Sequence, residues 1–133
     1  MATNLLGIDY GSQRVGVALS VDGRSPQRLV TLDQDEQLWE RLEQLSAAHQ
    51  VEQIVIGLPR STDGEDSAWT AQVRQLAGEV ESRLGLPVVL QDEFGTSQAA
   101  RERLGTKLSP VERRALVDQE SAVIILEDYL RDR

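Results

Sequence analysis

The chain has 133 residues, of which 40% are hydrophobic, and it carries a formal net charge of −8 at pH 7. This length predicts a single domain over residues 1–133, and the absence of cysteine excludes disulfide frameworks, thiolate metal sites and thiol nucleophiles. The acidic balance argues against a protein that coats nucleic acid through bulk electrostatics, although it is compatible with a local basic rim.

Three strands are predicted in the first third of the chain. The N-terminal residues contain neither a basic segment nor a long apolar stretch, so we expect a cytoplasmic protein with no membrane partner. An apolar run at 5–8 precedes turn-forming residues at 9–12, and apolar and small residues alternate over 15–20, which predicts a β-hairpin. Turn-forming residues before position 28 favour a third strand at about 28–32.

Helices and strands are predicted to alternate over the rest of the chain. The pattern predicts helices from Asp35 to about His49 and from 68 to 84, and strands at 54–56 and 87–90. Thr96 or Ser97 is expected to cap a helix through about residue 104, Ser109 to cap one before a proline, and a C-terminal helix to span about 117–130. This order, βββαβαβ followed by helices, indicates a layered α/β sheet with its first three strands antiparallel and its ligands at the carboxyl ends of the strands.

Three acidic residues stand where predicted strands or helices begin or end. Asp9 and Glu93 each follow an apolar strand, and Asp118 opens the predicted C-terminal helix ahead of an apolar stripe. Each acid alone is also explained as a turn, loop or helix-dipole residue. Together they favour a shared acidic site, because a carboxylate heading a buried segment costs desolvation unless a cation pairs with it. Asp92 and Glu93 should point to opposite faces, so only one can face Asp9.

The residue types around these acids indicate a hard cation. Carboxylates without cysteine, and with one histidine in the chain, suit Mg²⁺ or Mn²⁺ and not zinc, and such ions support phosphodiester hydrolysis. Gly11 permits a tight turn, and Gly16 leaves one face of the second strand without bulk, so that phosphate or metal can approach the backbone. Trp39 and Trp69 are interpreted as packing residues, since aromatic residues make up 4% of the chain.

Four motifs in register resemble the YqgF/RuvX family, relatives of the RuvC Holliday junction resolvases. The likeness runs through Gly-Ile-Asp-Tyr-Gly-Ser-Gln-Arg-Val-Gly-Val-Ala at 7–18, Ile-Gly-Leu-Pro at 56–59 with Asp63-Gly64, Asp92-Glu93, and Asp118 with the segments 121–126 and 129–130. It covers nearly the whole chain in order. One such motif alone would also fit the phosphate loop of actin-like ATPases.

The resemblance implies a ribonuclease H-like three-layer fold, with a central mixed five-stranded sheet and helices on both faces. It also implies hydrolysis of phosphodiester bonds dependent on Mg²⁺ or Mn²⁺, in maturation of the 5′ end of precursor 16S ribosomal RNA. The partner would be that RNA or a pre-ribosomal particle, bound by a monomer or a homodimer. Asp9, Glu93 and Asp118 match the family's acidic residues and are expected to bind metal and catalyse. Expected substrate-binding residues are Gly11, Arg14, Gly16 and Arg60.

Three features depart from the related patterns. Phe94-Gly95 stands where the family usually has arginine and a bulky apolar residue, so an expected phosphate contact is missing. Arg60 stands where an aliphatic residue is usual, and we hypothesise that it supplies the missing charge. Gly57 lies where RuvC proteins carry a catalytic glutamate, so the middle acid would come from the next strand, as Glu93.

Three other functions are compatible with the sequence. A junction resolvase acting on DNA would share the fold but would need a dimer with paired sites. A nucleotide-binding ATPase or sugar-kinase-like module would explain the glycine-rich hairpin, although that architecture normally needs two such domains. A non-catalytic binding module is the third, and the three retained acids count against it.

Overall fold

The computed structural model describes residues 3–61 and 66–133, so the Asp63-Gly64 motif lies outside the described residues. Its strands are β1 (Leu5–Tyr10), β2 (Arg14–Ser20), β3 (Gln27–Asp33), β4 (Gln53–Pro59) and β5 (Val88–Glu93). They form one sheet in the order β3-β2-β1-β4-β5. β1 pairs antiparallel with β2 and parallel with β4, which confirms the mixed five-stranded sheet.

Helices cover both faces of this sheet, as expected for three layers. Helices α1 (Leu38–Ala48) and α2 (Ala68–Leu84) pack on one face, and α4 (Pro110–Asp132) packs on the other, with α3 (Thr96–Leu104) against it. The alternation along β1 places Leu6 and Ile8 in the core under α1 and α2, and Leu5 in the core under α4. Asp9 therefore extends from the α4 side of the sheet. None of the described helices is long and apolar enough to cross a membrane.

Of the glycines that face α4, two adjoin the acids and allow the helix to lie close to the sheet. A Cβ atom at Gly16 would overlap the backbone oxygen of Asp118 and lie 2.8 Å from its Cβ. At Gly57 it would lie 2.8 Å from Cγ1 of Ile125 and 3.3 Å from Cγ of Glu93. The missing side chains thus make room both for the helix that carries Asp118 and for the side chain of Glu93.

Helix α4 corrects the prediction of a separate C-terminal helix beginning near residue 117. Ser109 forms the predicted cap: its Oγ accepts a hydrogen bond from the Glu112 backbone N–H at 3.1 Å, and the Glu112 carboxylate accepts one from the Ser109 N–H at 3.1 Å. From this capping box the helix continues without interruption to residue 132. Asp118 therefore lies inside the helix, not at its start, and a helix-dipole role is excluded for it.

Two further helix starts differ from the sequence prediction. Helix α1 begins at Leu38, because the backbone turns at 34–37 before it. Helix α3 is capped by Gly95 in the left-handed conformation (φ 63°), with no side-chain cap. Thr96 is therefore the first helical residue, and its hydroxyl is free to contact a neighbouring side chain.

Candidate active site

A cavity of about 530 Å³ opens where β1, β4 and β5 end. This is the edge of the sheet at which ligands are expected, and the volume falls in the range of about 300 to 1,000 Å³ typical of ligand sites. All three predicted acids contribute to its wall. The lining residues are Asp9, Tyr10, Gly11, Gly57, Pro59, Arg60, Trp69, Glu93, Gly95, Thr96, Ser97, Gln98, Arg101, Asp118 and Ile125.

Asp9 stands on the α4 side of β1, opposite Gly16 of β2. Its carboxyl group is removed from water by the surrounding sheet and helix. Burial, and then the charge of Asp118, raise the pKa of Asp9 from 3.8 to about 7. Near neutral pH the negative charge of this carboxylate is therefore poorly stabilised by its surroundings. A bound cation would stabilise it.

Glu93 is 6% exposed and lies at the end of β5, whereas Asp92 beside it is exposed. The predicted alternation of these two acids is thus confirmed. The Thr96 hydroxyl donates a 2.7 Å hydrogen bond to Oε1 of Glu93, and Oε2 has no hydrogen-bond partner among the described residues. Burial, followed by the neighbouring carboxyl group of Asp128, raises the pKa of Glu93, and the Thr96 hydrogen bond opposes that rise.

Asp118 reaches the cavity from α4 and is paired with Arg14 at the start of β2. The distance from Arg14 Nε to Asp118 Oδ2 is 2.8 Å, and the two side chains are 35% and 20% exposed. The contact is a charge-assisted hydrogen bond that fixes the direction of the Asp118 carboxylate. Arg14, predicted to bind substrate, thus contacts an acid of the site.

The acids line one cavity but do not form a compact ligand group as their side chains stand. No three His, Cys, Asp or Glu residues within 3–61 and 66–133 lie close enough to hold one metal ion. As the side chains stand, Asp118 is paired with Arg14, and Glu93 contacts Thr96 with the carboxyl group of Asp128 beside it. The donors nevertheless fit a hard divalent cation, because Asp9 is buried beside a second carboxylate and Glu93 Oε2 is buried without a partner.

Of the other predicted substrate-binding residues, two line the cavity and one does not. Gly11 lines the cavity, and its backbone N–H donates a 2.9 Å hydrogen bond to the carbonyl oxygen of Arg14, closing the predicted turn. Arg60 also lines the cavity, with Asp66 at 3.3 Å and Asp92 at 3.5 Å from its guanidinium nitrogens. Gly16 is not open to a ligand, because the backbone of Asp118 occupies the space beside it. The absence of a side chain at Gly16 instead lets α4 pack directly against β2.

Several residues of the site were missed or misjudged by the sequence interpretation. Asp128 approaches Glu93 from α4, and its position three residues after buried Ile125 is the signal that could have found it. Trp69 packs against the core, as predicted, and in addition it lines the cavity and stacks on Tyr10. Trp39 does pack against the core, with the Arg83 guanidinium 4.6 Å above its ring.

Comparison with known proteins places the chain among a group of bacterial relatives. A family model described as RuvX, Holliday junction resolvase, matches residues 3–132. The chain is 38% identical over 129 residues to a protein of Nitratidesulfovibrio vulgaris, covering 94% of this chain and 91% of that protein. It is 36% identical over 132 residues to a protein of Listeria monocytogenes serotype 4b, covering 95% and 96%. Both relatives are named as candidate pre-16S rRNA nucleases.

Among solved structures, the RuvC protein of Thermus thermophilus has the same fold. It superposes with a TM-score of 0.56 at 15% identity, covering 97% of this chain and 96% of that chain. RuvC of the same organism in complex with a Holliday junction substrate gives a TM-score of 0.56 at 16% identity. The predicted ribonuclease H-like fold is thereby confirmed.

Proposed function

The chain belongs to the RuvX family, and from that membership we propose that it is a nuclease that hydrolyses phosphodiester bonds with the help of Mg²⁺ or Mn²⁺. The names of its relatives support precursor 16S ribosomal RNA as the substrate, in maturation of its 5′ end. The observation that carries the proposal is the convergence of Asp9, Glu93 and Asp118 on one cavity at the carboxyl edge of the sheet.

Each acid has a separate part in this proposal. Asp9 and Asp118 would hold the cation from neighbouring elements, and Glu93 would complete the set through its unpartnered Oε2. When bound, the cation supplies Lewis acidity toward the phosphodiester and charge that offsets the carboxylates. Arg14 orients Asp118, and Thr96 orients Glu93, before substrate arrives.

The first experiment compares the protein with its Asp9→Asn variant on single-stranded precursor-like RNA and on a four-way DNA junction. Each reaction contains EDTA, Mg²⁺ or Mn²⁺, and products are separated on a denaturing gel. We expect RNA cleavage that needs both the metal and Asp9, with a loss of at least 100-fold in the variant. Junction-selective cleavage would replace the RNA substrate with DNA, and an Asp9→Asn protein that cleaves at the parent rate would remove Asp9 from the mechanism.

Asp22→Asn is the matched control for this experiment. Asp22 follows β2 at the opposite end of the sheet and is exposed, and asparagine tolerates its positive φ of 55°. The substitution makes the same chemical change and removes the same charge as Asp9→Asn. It should leave cleavage unchanged, so that any loss at Asp9 is due to its place in the cavity.

Metal binding is testable without turnover. In the absence of nucleic acid, Mn²⁺ should raise the thermal unfolding midpoint of the parent at pH 8, because a ligand that binds only the folded state stabilises it. The Asp9→Asn variant should show a clearly smaller rise, and Asp22→Asn the full one. An equal rise in all three proteins would place metal binding elsewhere.

A further inference from the structure

Two aromatic rings form part of the wall of the acidic cavity. Tyr10 and Trp69 both line it and both remain partly exposed. Their ring centroids are 5.8 Å apart and their planes differ by 18°, so they stack. Both rings also pack against the core, but their partial exposure leaves part of each residue in the wall of the cavity.

The position of the pair is fixed by the surrounding secondary structure. Tyr10 is the last residue of β1, and Trp69 lies in the first turn of α2. That turn is held by a capping box between Ser67 and Thr70. The Thr70 hydroxyl also donates a 2.6 Å hydrogen bond to the carbonyl oxygen of Pro59, which ties α2 to the end of β4. The rings are therefore preorganised before any ligand binds.

The pair and the acids lie on either side of the sheet edge. Asp9 and Tyr10 are consecutive in β1 and point to opposite faces, yet both line the same cavity. The cavity therefore continues from the acidic face, past the carboxyl ends of β1 and β4, to the aromatic pair. On its wall Arg101 makes no ion pair with any described residue, so a cation is available beside the acids and the rings.

We propose that Tyr10 and Trp69 form a stacking site for an unpaired nucleobase of the strand whose backbone lies against the acids. The proposal rests on the proposed nuclease function and specifies its substrate as single-stranded nucleic acid. The face of every base can stack on an aromatic ring, whereas a base inside a duplex is already stacked on its neighbours. The site therefore selects for an unpaired strand without reading its sequence.

The test uses binding and not cleavage, so that its outcome is independent of the nuclease proposal. The chain contains two tryptophans, and Trp39→Phe leaves Trp69 as the reporter. In this background, with EDTA present, Trp69 fluorescence is titrated with a ten-nucleotide oligoadenylate RNA, an abasic RNA of equal length, a blunt RNA duplex and an oligodeoxyadenylate. We expect the oligoadenylate to quench Trp69 and to bind roughly 5- to 100-fold more tightly than the abasic strand and the duplex.

Substitutions at Trp69 give the second arm. Binding of fluorescein-labelled oligoadenylate is followed by anisotropy, and Trp69→Ala should weaken it by a factor in the same range, while Trp69→Phe should stay within about threefold of the parent. Circular dichroism verifies the fold of each variant. The abasic comparison uses unaltered Trp69, so it stands even where Trp69→Ala does not fold.

The outcomes separate the two proposals and the two sources of the base. Equal affinity for abasic and adenylate strands, or for Trp69→Ala and parent, overturns the stacking site whatever the cleavage assay gives. Base-dependent quenching without cleavage of any substrate supports the stacking site and counts against the nuclease. Equal or tighter binding of the oligodeoxyadenylate supports stacking and makes DNA the source of the base.

Discussion

Asp9 shows how a single carboxyl group links the stability of the fold to the proposed chemistry. The sheet and α4 remove it from water, and Asp118 adds a second negative charge beside it. Both effects favour the protonated form and raise its pKa to about 7. The metal-free protein therefore carries an energetic cost at neutral pH, which a bound cation would relieve.

This cost predicts a specific dependence of stability on pH. Between the ordinary pKa of 3.8 and about 7, the unfolded chain releases the Asp9 proton while the folded chain retains it, so the contribution of Asp9 to stability falls as pH rises and is constant above that window. Asp9→Asn lacks this cost. In EDTA the variant should exceed the parent in unfolding free energy by about 4 kcal/mol at pH 8, and the difference should vanish near pH 4. Urea unfolding at both pH values measures it, and a constant difference would contradict the assignment.

Thr96 predicts a second effect of one side chain on the site. Valine has nearly the shape of threonine but cannot donate to Glu93 Oε1, so Thr96→Val should lower the unfolding free energy by about 1 kcal/mol and slow cleavage. Serine retains the hydroxyl. Thr96→Ser should therefore restore cleavage, and equal rates for the valine and serine variants would show that the hydroxyl does not position Glu93.

At the scale of elements, the packing of α4 on the sheet determines whether the site forms. Gly16 in β2 and Gly57 in β4 leave the α4 face of the sheet without side chains on either side of β1, and α4 fills that space with Asp118 and Ile125. The helix spans 23 residues, so one rigid element delivers the acid and covers the face. Any side chain that lifts the helix moves Asp118 as well.

The close contact between Gly16 and α4 predicts that alanine has opposite effects on stability at Gly16 and at Gly78. Gly16→Ala should destabilise the protein by about 1 to 3 kcal/mol through overpacking and should lower cleavage, because its Cβ meets the backbone of Asp118. Gly78→Ala is the control: it lies within α2 with nothing within 4 Å of the added Cβ, and it should stabilise by about 0.5 to 1 kcal/mol. Urea unfolding compares the two, and a neutral Gly16→Ala would show that α4 can retreat without cost.

Local sequence patterns predicted the individual strands and helices better than they predicted where one helix continues into the next or which distant residues make contact. The Ser109-Pro110 cap was visible because capping is a short-range signal, but the continuity of α4 through 117 depends on packing against the sheet. Likewise, the ends of β1 and β5 pointed to Asp9 and Glu93. The stacking of Trp69 on Tyr10 joins residues 59 positions apart in the sequence, and no local periodicity encodes it.

At the scale of the whole molecule, the net charge of −8 limits how the protein can hold nucleic acid. Within the described part of the chain, Arg60 at the cavity is already offset by Asp66 and Asp92, whereas Arg101 has no ionic partner. Few phosphate contacts are therefore available at the cavity, and the proposed stacking of a base would have to contribute much of the affinity. Binding of this kind depends weakly on salt.

The salt dependence is itself a prediction. With one or two phosphate contacts, the slope of log K against log salt concentration should be about −0.7 to −1.4 for a single strand. Arg101→Gln should make this slope shallower by about 0.7. Titrations of the Asp9→Asn variant with single-stranded RNA over a series of KCl concentrations measure both, and a slope of about −4 or steeper would reveal a basic surface beyond the cavity.

The order of elements along the chain has a consequence for the timing of synthesis. A growing polypeptide that has been made through β5 already contains Asp9 and Glu93, but it lacks α4 and so has neither Asp118 nor the cover for the second face of the sheet. Such an intermediate would be unable to cut. Under the proposed function, the chain is made on a ribosome, beside the class of RNA that it would cut, and this topology would delay its competence until α4 has emerged.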